Sequence, residues 1–187
     1  MANAWELRRL GDLLVERNIQ VPENEEYPLM SFVQGLGVTP KGDRYDRSFL
    51  VTSSEKKYKV TEYGDFIYSS NNLETGSIGF NRSGKAVISP VYSIFYSKNN
   101  LESRYIGILS TRKDFIAKMI RYRQGVIYGQ WRIHESDFLE IKILIPTEKE
   151  QKEIIQIFDT FDNLITLHQR ELVKLKGIKD LFGKMFI

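Results

Sequence analysis

The chain has 187 residues, of which 42% are hydrophobic and 27% charged, a composition typical of a folded soluble domain. It has no cysteine, which excludes disulfides, thiolate metal sites and cysteine nucleophiles, and its two histidines are too few for a multi-histidine metal site. The net charge is +3, and no apolar run approaches the roughly 18 residues of a membrane span. Because the N-terminus also lacks the apolar core of a signal peptide, we expect a cytoplasmic protein without a membrane partner.

The N-terminal half is predicted to consist mainly of short strands. Residues 5–20 indicate a short strand and then a short helix, with Gly11 and Asp12 at the break. Beyond them, turn residues separate short β-branched and aromatic runs. These runs predict strands near 29–33, 48–52 and 57–61, a strand over 64–70, a hairpin formed by TGSIGF and RSGKAVIS with its turn near Gly84, and a strand over 91–97.

The next segment changes its apolar period. Over 101–122 apolar residues recur every three or four positions, which predicts one or two amphipathic helices with basic residues on the outer side. The segment 123–131 indicates a loop or short strand. The run DFLEIKILIP predicts a strand over 137–146 that buries Leu139, Ile141, Ile143 and Ile145 on one face. We therefore predict an α+β fold with a mixed, largely antiparallel sheet and short helices.

Residues 147–187 predict one long helix. Pro146 ends the preceding strand, and Thr147 with Glu150 fits a capping box. A helix of this length would measure about 60 Å, whereas its domain should be only about 30–35 Å in diameter. The domain therefore cannot cover the stripe of apolar residues along the helix, and this stripe should need a partner helix. The stripe residues recur every three, four or seven positions and are Ile154, Phe158, Phe161, Ile165, His168, Leu172, Leu175 and Phe182. We expect two parts, a domain at 1–146 and this helix at 147–187.

A basic run lies between Arg104 and Arg132, with seven cationic side chains against one acid, Asp114. Tyrosines and Trp131 interleave with these cations. One interpretation is a solvated helix face. The other is nucleic-acid binding, because cations neutralise phosphates while aromatic groups contact bases and sugars.

Several stretches resemble fragments of catalytic motifs. Two sets of acids with a lysine resemble part of a metal-nuclease pattern: Asp137, Glu140 and Lys142, and Asp46, Glu55 and Lys57. The first set lies on one predicted strand, which would place Asp137 and Glu140 on opposite faces and so keep them from sharing a metal ion. The second set lies in a polar segment with no apolar strand to carry it. SPVY at 89–92 resembles part of an adenine-methyltransferase motif but lacks its second proline and a glycine-rich turn for the methyl donor. We therefore expect no enzyme activity.

Read in order, longer segments resemble one family. They are WELRRLGDLL, VTEYGDFIYSS, GSIGF, GKAVIS, RQG, GQWRIHESDFLEIKILIPTEKEQKEI and FDTFDNLITLHQRELVKLKGIKDLF. Together they resemble a target-recognition domain and conserved helix from the specificity subunit of type I restriction-modification systems. The resemblance covers nearly the whole chain, and its most specific part is the junction at 138–175.

This resemblance implies a non-catalytic subunit that reads one half of a split site in double-stranded DNA. The usual family member has two recognition domains, each followed by a long helix, and the helices pair antiparallel as a spacer. The family also implies modification subunits that bind S-adenosylmethionine and methylate adenine, and a restriction motor-nuclease subunit that uses ATP and Mg. This chain itself would bind no cofactor or metal. With one domain and one helix, it is expected to be a half-length form that self-associates as a homodimer, or one half of a longer subunit.

Candidate DNA-binding residues are loop side chains that can reach base edges or phosphates. They are Gln34, Lys41, Arg44, Arg47, Ser69, Asn71, Asn72, Arg121, Arg123, Tyr128, Gln130 and Arg132. Two alternatives remain open. One is the target-recognition subunit of a type IIG-like restriction-methylation system, with catalysis on another chain. The other is a structural coiled-coil assembly protein whose basic residues are incidental.

Overall fold

The computed structural model describes residues 5–40, 56–125 and 130–185, with side chains up to residue 182. It divides into two compact units, Met1–Gln151 and Lys152–Ile187. Lys41, Arg44, Arg47 and Tyr128 lie outside the described residues, as do the predicted strand at 48–52 and the acids Asp46 and Glu55.

The first unit is built from short strands. Those described are β1 (Glu6–Arg9), β2 (Val15–Glu16), β3 (Gln20–Val21), β4 (Met30–Val33), β5 (Gly37–Pro40), β6 (Tyr58–Thr61), β7 (Phe66–Tyr68), β8 (Ile78–Phe80), β9 (Ala86–Ile88), β10 (Ser93–Tyr96), β11 (Gln124–Gly125), β12 (Trp131–Arg132) and β13 (Lys142–Ile145). The helices are a 3-10 turn (Leu10–Asp12), α1 (Leu101–Leu109), α2 (Lys113–Ile120), α3 (Glu135–Leu139) and α4 (Glu148–Met185).

The strands form several small sheets. The largest has the order β2-β10-β7-β8, a second has the order β3-β6-β9, and three two-stranded sheets pair β1 with β13, β4 with β5 and β11 with β12. Each of these pairings is antiparallel. The predicted α+β fold, with largely antiparallel sheets and a long C-terminal helix, is confirmed.

An aromatic cluster forms the centre of the first unit. Phe66 and Tyr68 from β7, Phe95 from β10 and Phe138 from α3 are all fully buried. The Phe138 ring centroid lies 5.5 Å from that of Phe66, 4.9 Å from that of Tyr68 and 4.7 Å from that of Phe95. Such close ring packing fixes α3 against the largest sheet, and with it the chain that precedes α3.

The predicted helix within residues 12–20 is wrong. That segment contains the end of the 3-10 turn and the two-residue strands β2 and β3. Leu10 and Leu14 are buried four residues apart, a spacing that suits a helix as well as this turn. The backbone instead pairs with two different sheets, which outweighs the weak local preference for a helix.

The predicted hairpin across Gly84 is also wrong. Strand β8 pairs with β7 and strand β9 pairs with β6, so consecutive strands enter different sheets. Asn81 directs the chain between them, because its side-chain amide donates to the Gly84 carbonyl at 2.7 Å and to Thr61 Oγ1 at 3.1 Å. A side-chain turn of this kind replaces the backbone turn of a hairpin.

The predicted strand at 137–146 is only half correct. Ile141, Ile143 and Ile145 are buried on one face of this segment, as predicted. Residues up to Leu139 belong to helix α3, in which the Phe138 amide donates to the His134 carbonyl at 3.0 Å. Burial of Phe138 in the aromatic cluster favours this helical turn over an extended strand.

The start of α4 carries the predicted capping box. The Thr147 backbone N–H donates to Glu150 Oε2 at 3.0 Å, and the Glu150 N–H donates to Thr147 Oγ1 at 3.4 Å. The hydrogen bond from the Thr147 backbone, helped by the Thr147 hydroxyl, holds the pKa of Glu150 below its usual value. The two residues thus satisfy each other's free backbone donors and begin the helix at this point.

Helix α4 has 38 residues, about 57 Å at 1.5 Å per residue. Its stripe is exposed over most of that length, from Phe158 (44%) to Phe182 (53%), with Leu175 at 62%. His168 is exposed as well and lies 3.2 Å from Glu171 Oε2. Within the described ranges, no helix combines the length and the apolar character that a bilayer crossing requires.

Candidate nucleic-acid interface

Strands β11 and β12 form a small antiparallel ribbon, in which Gln124 lies opposite Arg132 and Gly125 opposite Trp131. The loop at residues 69–77, between β7 and β8, anchors this ribbon through two side chains. Asn71 Oδ1 accepts a hydrogen bond from the Trp131 backbone at 2.6 Å, and Ser70 Oγ accepts one from the Ile133 backbone at 3.0 Å. The ribbon is therefore tied to the β7–β8 loop at two nearby backbone positions.

Arg123 makes a third tie between the same segments. Its two terminal nitrogens donate to the two carboxylate oxygens of Glu74 at 2.9 and 2.8 Å, a bidentate pair. The Arg123 side chain is 8% exposed, whereas that of Glu74 is 54% exposed. The hydrogen bonds from Arg123 also hold the pKa of Glu74 below its usual value, so the carboxylate stays ionised in mildly acidic solution.

The turn between β4 and β5 joins this group through Gln34. Gly76, in the β7–β8 loop, has a φ of +90°, and a Cβ there would lie 2.7 Å from Gln34 Cγ. The Gln34 side chain thus packs directly on the Gly76 backbone. Only glycine leaves room for this contact and adopts this positive φ without strain. We call the three segments together the loop cluster: the turn at 34–36, the β7–β8 loop at 69–77, and the ribbon segment at 121–125 and 130–133.

Cations in the ribbon segment differ in how firmly they are paired. Arg132 is 54% exposed and donates to Glu135 Oε2 at 3.3 Å. Glu135 is held in turn by the Ser93 hydroxyl, which donates to its other oxygen at 2.8 Å. Arg121 is exposed and has no ion-pair partner in the part of the chain that the structure describes. Of these three cations, Arg123 is thus the most firmly paired and Arg121 the least.

Of the predicted DNA-binding residues, the structure brings Gln34, Asn71, Arg123 and Arg132 together in the loop cluster. Arg121 and Gln130 belong to the same ribbon segment and are exposed, and so is Asn72 in the β7–β8 loop. Ser69 is only 4% exposed, so its hydroxyl is poorly accessible to a DNA duplex.

Residues that sequence reasoning missed do much of the positioning in the loop cluster. They are Ser70, Glu74 and Gly76. An acid in a basic surface gives no sequence signal of its own, since Glu74 and Arg123 are 49 positions apart. The Glu-Thr-Gly sequence at 74–76 indicates a turn, and it is the local sequence signal that this loop has a defined conformation.

Asp137 and Glu140, the described acids of the metal-nuclease-like stretches, each have a partner elsewhere in the first unit. Asp137 accepts a hydrogen bond from the Gln124 amide at 3.2 Å, and Glu140 pairs with Arg9 at 3.3 Å. These acids occupy a helix and its end, not the single strand that the sequence predicted. Among the described residues, no three His, Asp or Glu side chains are grouped so that they could hold a metal ion.

Comparisons with known proteins gave matches over most of the chain. A family model described as the type I restriction modification DNA specificity domain matches residues 3–177. The fold is similar to that of the HsdS subunit from Thermoanaerobacter tengcongensis, with a TM-score of 0.54 and 18% identity over 91% of this chain and 40% of that one. It is also similar to the S subunit of a type I restriction-modification system from M. genitalium, with a TM-score of 0.53 and 16% identity over 86% of this chain and 40% of that one.

A third similar structure is described as the basis of complex assembly and conformational transition of the type I R-M system. Its TM-score is 0.55, with 14% identity over 90% of this chain and 45% of that one. The chain thus spans 40–45% of the length of these structures. A comparison with curated protein sequences gave no match.

Proposed function

Because the chain belongs to the family of type I restriction-modification DNA specificity domains, we propose that residues 1–146 recognise a specific sequence in double-stranded DNA. One observation carries this proposal. Three of the side chains chosen from the sequence as DNA-binding candidates, Gln34, Asn71 and Arg123, each make a contact that ties one segment of the loop cluster to another. A surface of this kind combines groups that read bases with groups that hold the backbone.

The chemistry of the loop cluster suits a duplex. A two-stranded ribbon has the dimensions to enter the major groove. The amides of Gln34 and Asn72 can donate and accept at adjacent base atoms, the pattern that adenine presents there. Arg121 and Arg132 are placed to neutralise phosphates, and Trp131, 48% exposed, offers an aromatic surface.

We further propose that the chain acts without catalysis of its own, as a subunit that directs others. Modification subunits would supply S-adenosylmethionine and methylate adenine, and a restriction subunit would supply ATP-driven cleavage with Mg. In this scheme residues 147–187 serve as the spacer helix that sets the distance between two half-sites. The exposed stripe on α4 supports this role, because it offers a partner helix a long apolar surface.

Duplex binding by the full chain tests the proposal. Fluorescence anisotropy with labelled duplexes, measured between about 50 and 200 mM salt, should give an affinity that falls steeply as salt rises, by about 0.9 in the logarithmic slope for each phosphate contacted. A type IIG-like recognition subunit would behave in the same way. A structural coiled-coil protein, which the α4 stripe would also suit, should show no salt-sensitive binding.

A further inference from the structure

We infer that Glu74 and Arg123 form a positioning pair that holds Trp131 for contact with DNA, and that Arg123 itself contacts no phosphate. This inference rests on the proposed function. It gives an acid a favourable role within a surface that binds a polyanion. It also separates two arginines, Arg121 and Arg123, that the sequence presents as equivalent.

The two terminal nitrogens of Arg123 are already engaged, and its Nε is buried without a hydrogen-bond partner. Both terminal nitrogens donate to Glu74, and the side chain is 8% exposed. A phosphate would have to displace a bidentate carboxylate and reach a buried guanidinium. Because the pair is also neutral overall, it would not neutralise a phosphate and so would release none of the counterions condensed on DNA.

Trp131 is held by two separate contacts. The guanidinium carbon of Arg123 lies 6.0 Å from the centroid of the Trp131 ring. On the backbone side, Asn71 Oδ1 accepts from the Trp131 N–H at 2.6 Å. The residue thus has a cation–π contact at its ring and a hydrogen bond at its backbone, yet it is 48% exposed.

A half-exposed aromatic side chain with a cation beside its ring and an anchored backbone is suited to contact with a ligand surface. The ring is apolar and flat, so the fitting ligand surface is a sugar or an unstacked base face, or the methyl group of thymine. Glu74 contributes to binding by fixing Arg123, which in turn limits where the ring can lie. Loss of Glu74 should therefore weaken DNA binding even though it removes a negative charge.

The experiment compares Glu74→Gln, Arg123→Ala, the double variant and Trp131→Ala, all in the full chain. Trp131→Ala should weaken duplex binding about ten- to a hundredfold, the range for loss of one aromatic contact. Glu74→Gln and Arg123→Ala should each weaken it about five- to tenfold, and the double variant should be no worse than either, because the two residues act as one unit. The salt slope should stay at its wild-type value in each single variant.

Glu26→Gln is the matched control, since Glu26 is also the exposed acid of an ion pair, with Lys85, outside the loop cluster. It should bind DNA as the wild type does. A second readout needs no DNA. In a Trp5→Phe background Trp131 is the remaining tryptophan, and its quenching by acrylamide should increase in Glu74→Gln but not in Glu26→Gln.

Two results would overturn the inference. One is unchanged or tighter DNA binding by Glu74→Gln together with a salt slope reduced by about one unit in Arg123→Ala, which is the behaviour of a phosphate contact. The other is unchanged quenching of Trp131 in Glu74→Gln. If the wild-type chain itself failed to bind duplexes, the proposed function would be wrong, while the quenching would still decide whether the pair positions Trp131.

Discussion

Arg121 and Arg123 lie two positions apart, yet the structure surrounds them differently. Arg123 is buried against Glu74, whereas Arg121 is exposed and has no ion-pair partner among the described residues. We therefore expect Arg121→Ala to lower the logarithmic salt slope of duplex binding by about one unit and to leave sequence preference unchanged. Anisotropy titrations at several salt concentrations measure both quantities.

Lys142→Ala is the control for this prediction. Lys142 is an exposed cation on β13, outside the loop cluster, and its removal should leave the slope unchanged. Equal effects of the two substitutions would mean that only total charge matters, and Arg121 would then have no particular role.

The buried carboxyl of Asp65 should make the free energy of unfolding depend on pH. Its side chain is fully buried, with Oδ2 at 2.8 Å from Arg17 Nε, and burial raises the pKa of Asp65 from 3.8 to about 6. The folded chain then binds this proton more tightly than the unfolded chain, so this position contributes less to the free energy of unfolding as pH rises from about 4 to about 6. An NMR titration of the carboxyl carbon should give a midpoint near 6. A midpoint below 4 would show instead that the Arg17 ion pair outweighs burial.

Residue-level patterns in the sequence succeed where the partners are close along the chain. Thr147 and Glu150 are three positions apart, and their capping box was predictable from local rules. Asn71 and Trp131 are 60 positions apart, and Glu74 and Arg123 are 49 apart. Many acids and bases are available at such separations, so the sequence gives no means to select the pair that the fold brings together.

At the scale of elements, helix α3 has one buried side chain, Phe138. Phe138 is fully buried and lies within 5.5 Å, centroid to centroid, of three other aromatic rings. We expect Phe138→Ala to lower the free energy of unfolding by about 3–5 kcal/mol, because it leaves a cavity in the aromatic cluster. Urea unfolding at constant pH measures this loss.

Phe138→Leu provides the comparison, since it keeps most of the volume and should cost clearly less. A loss below about 1 kcal/mol for the alanine variant would show that the cluster closes around the gap or contributes little. The same variants also test whether α3 supports the ribbon, because only Ile133 and His134 separate β12 from α3.

The short elements explain where prediction from sequence failed. Strands of two to four residues hold too few side chains for a period of two to be distinguished from a helical one. Helix α1, with nine residues, and strand β10, buried except at Tyr96, agree with prediction. Pairing of β8 with β7 and of β9 with β6 depends on Asn81 and on contacts between sheets, and these are not visible in a local pattern.

On the scale of the whole molecule, the exposed stripe on α4 predicts self-association. Ile165 is 54% and Leu172 52% exposed, and apolar residues at this spacing pack against a second helix. We expect the wild-type chain to form dimers at micromolar concentration in sedimentation analysis. Ile165→Asp should weaken them at least about 100-fold, because it places a charge in the apolar seam.

Asn163→Asp adds the same charge on an exposed position outside the stripe, and it should leave the dimer intact. A wild-type chain that stays monomeric at high concentration would remove the homodimer and favour pairing of α4 with a different helix. Two identical recognition domains in a dimer would read a palindromic split site.

Selection from a random duplex library is the most direct test of the claim that this chain reads a DNA sequence. The full chain is incubated with the library at about 150 mM salt, near physiological ionic strength, and the retained duplexes are sequenced. We expect enrichment of a defined motif, and Trp131→Ala should weaken that enrichment. Retention of duplexes by a salt-sensitive attraction without any enriched motif would contradict sequence recognition, because phosphate contact alone carries no sequence information.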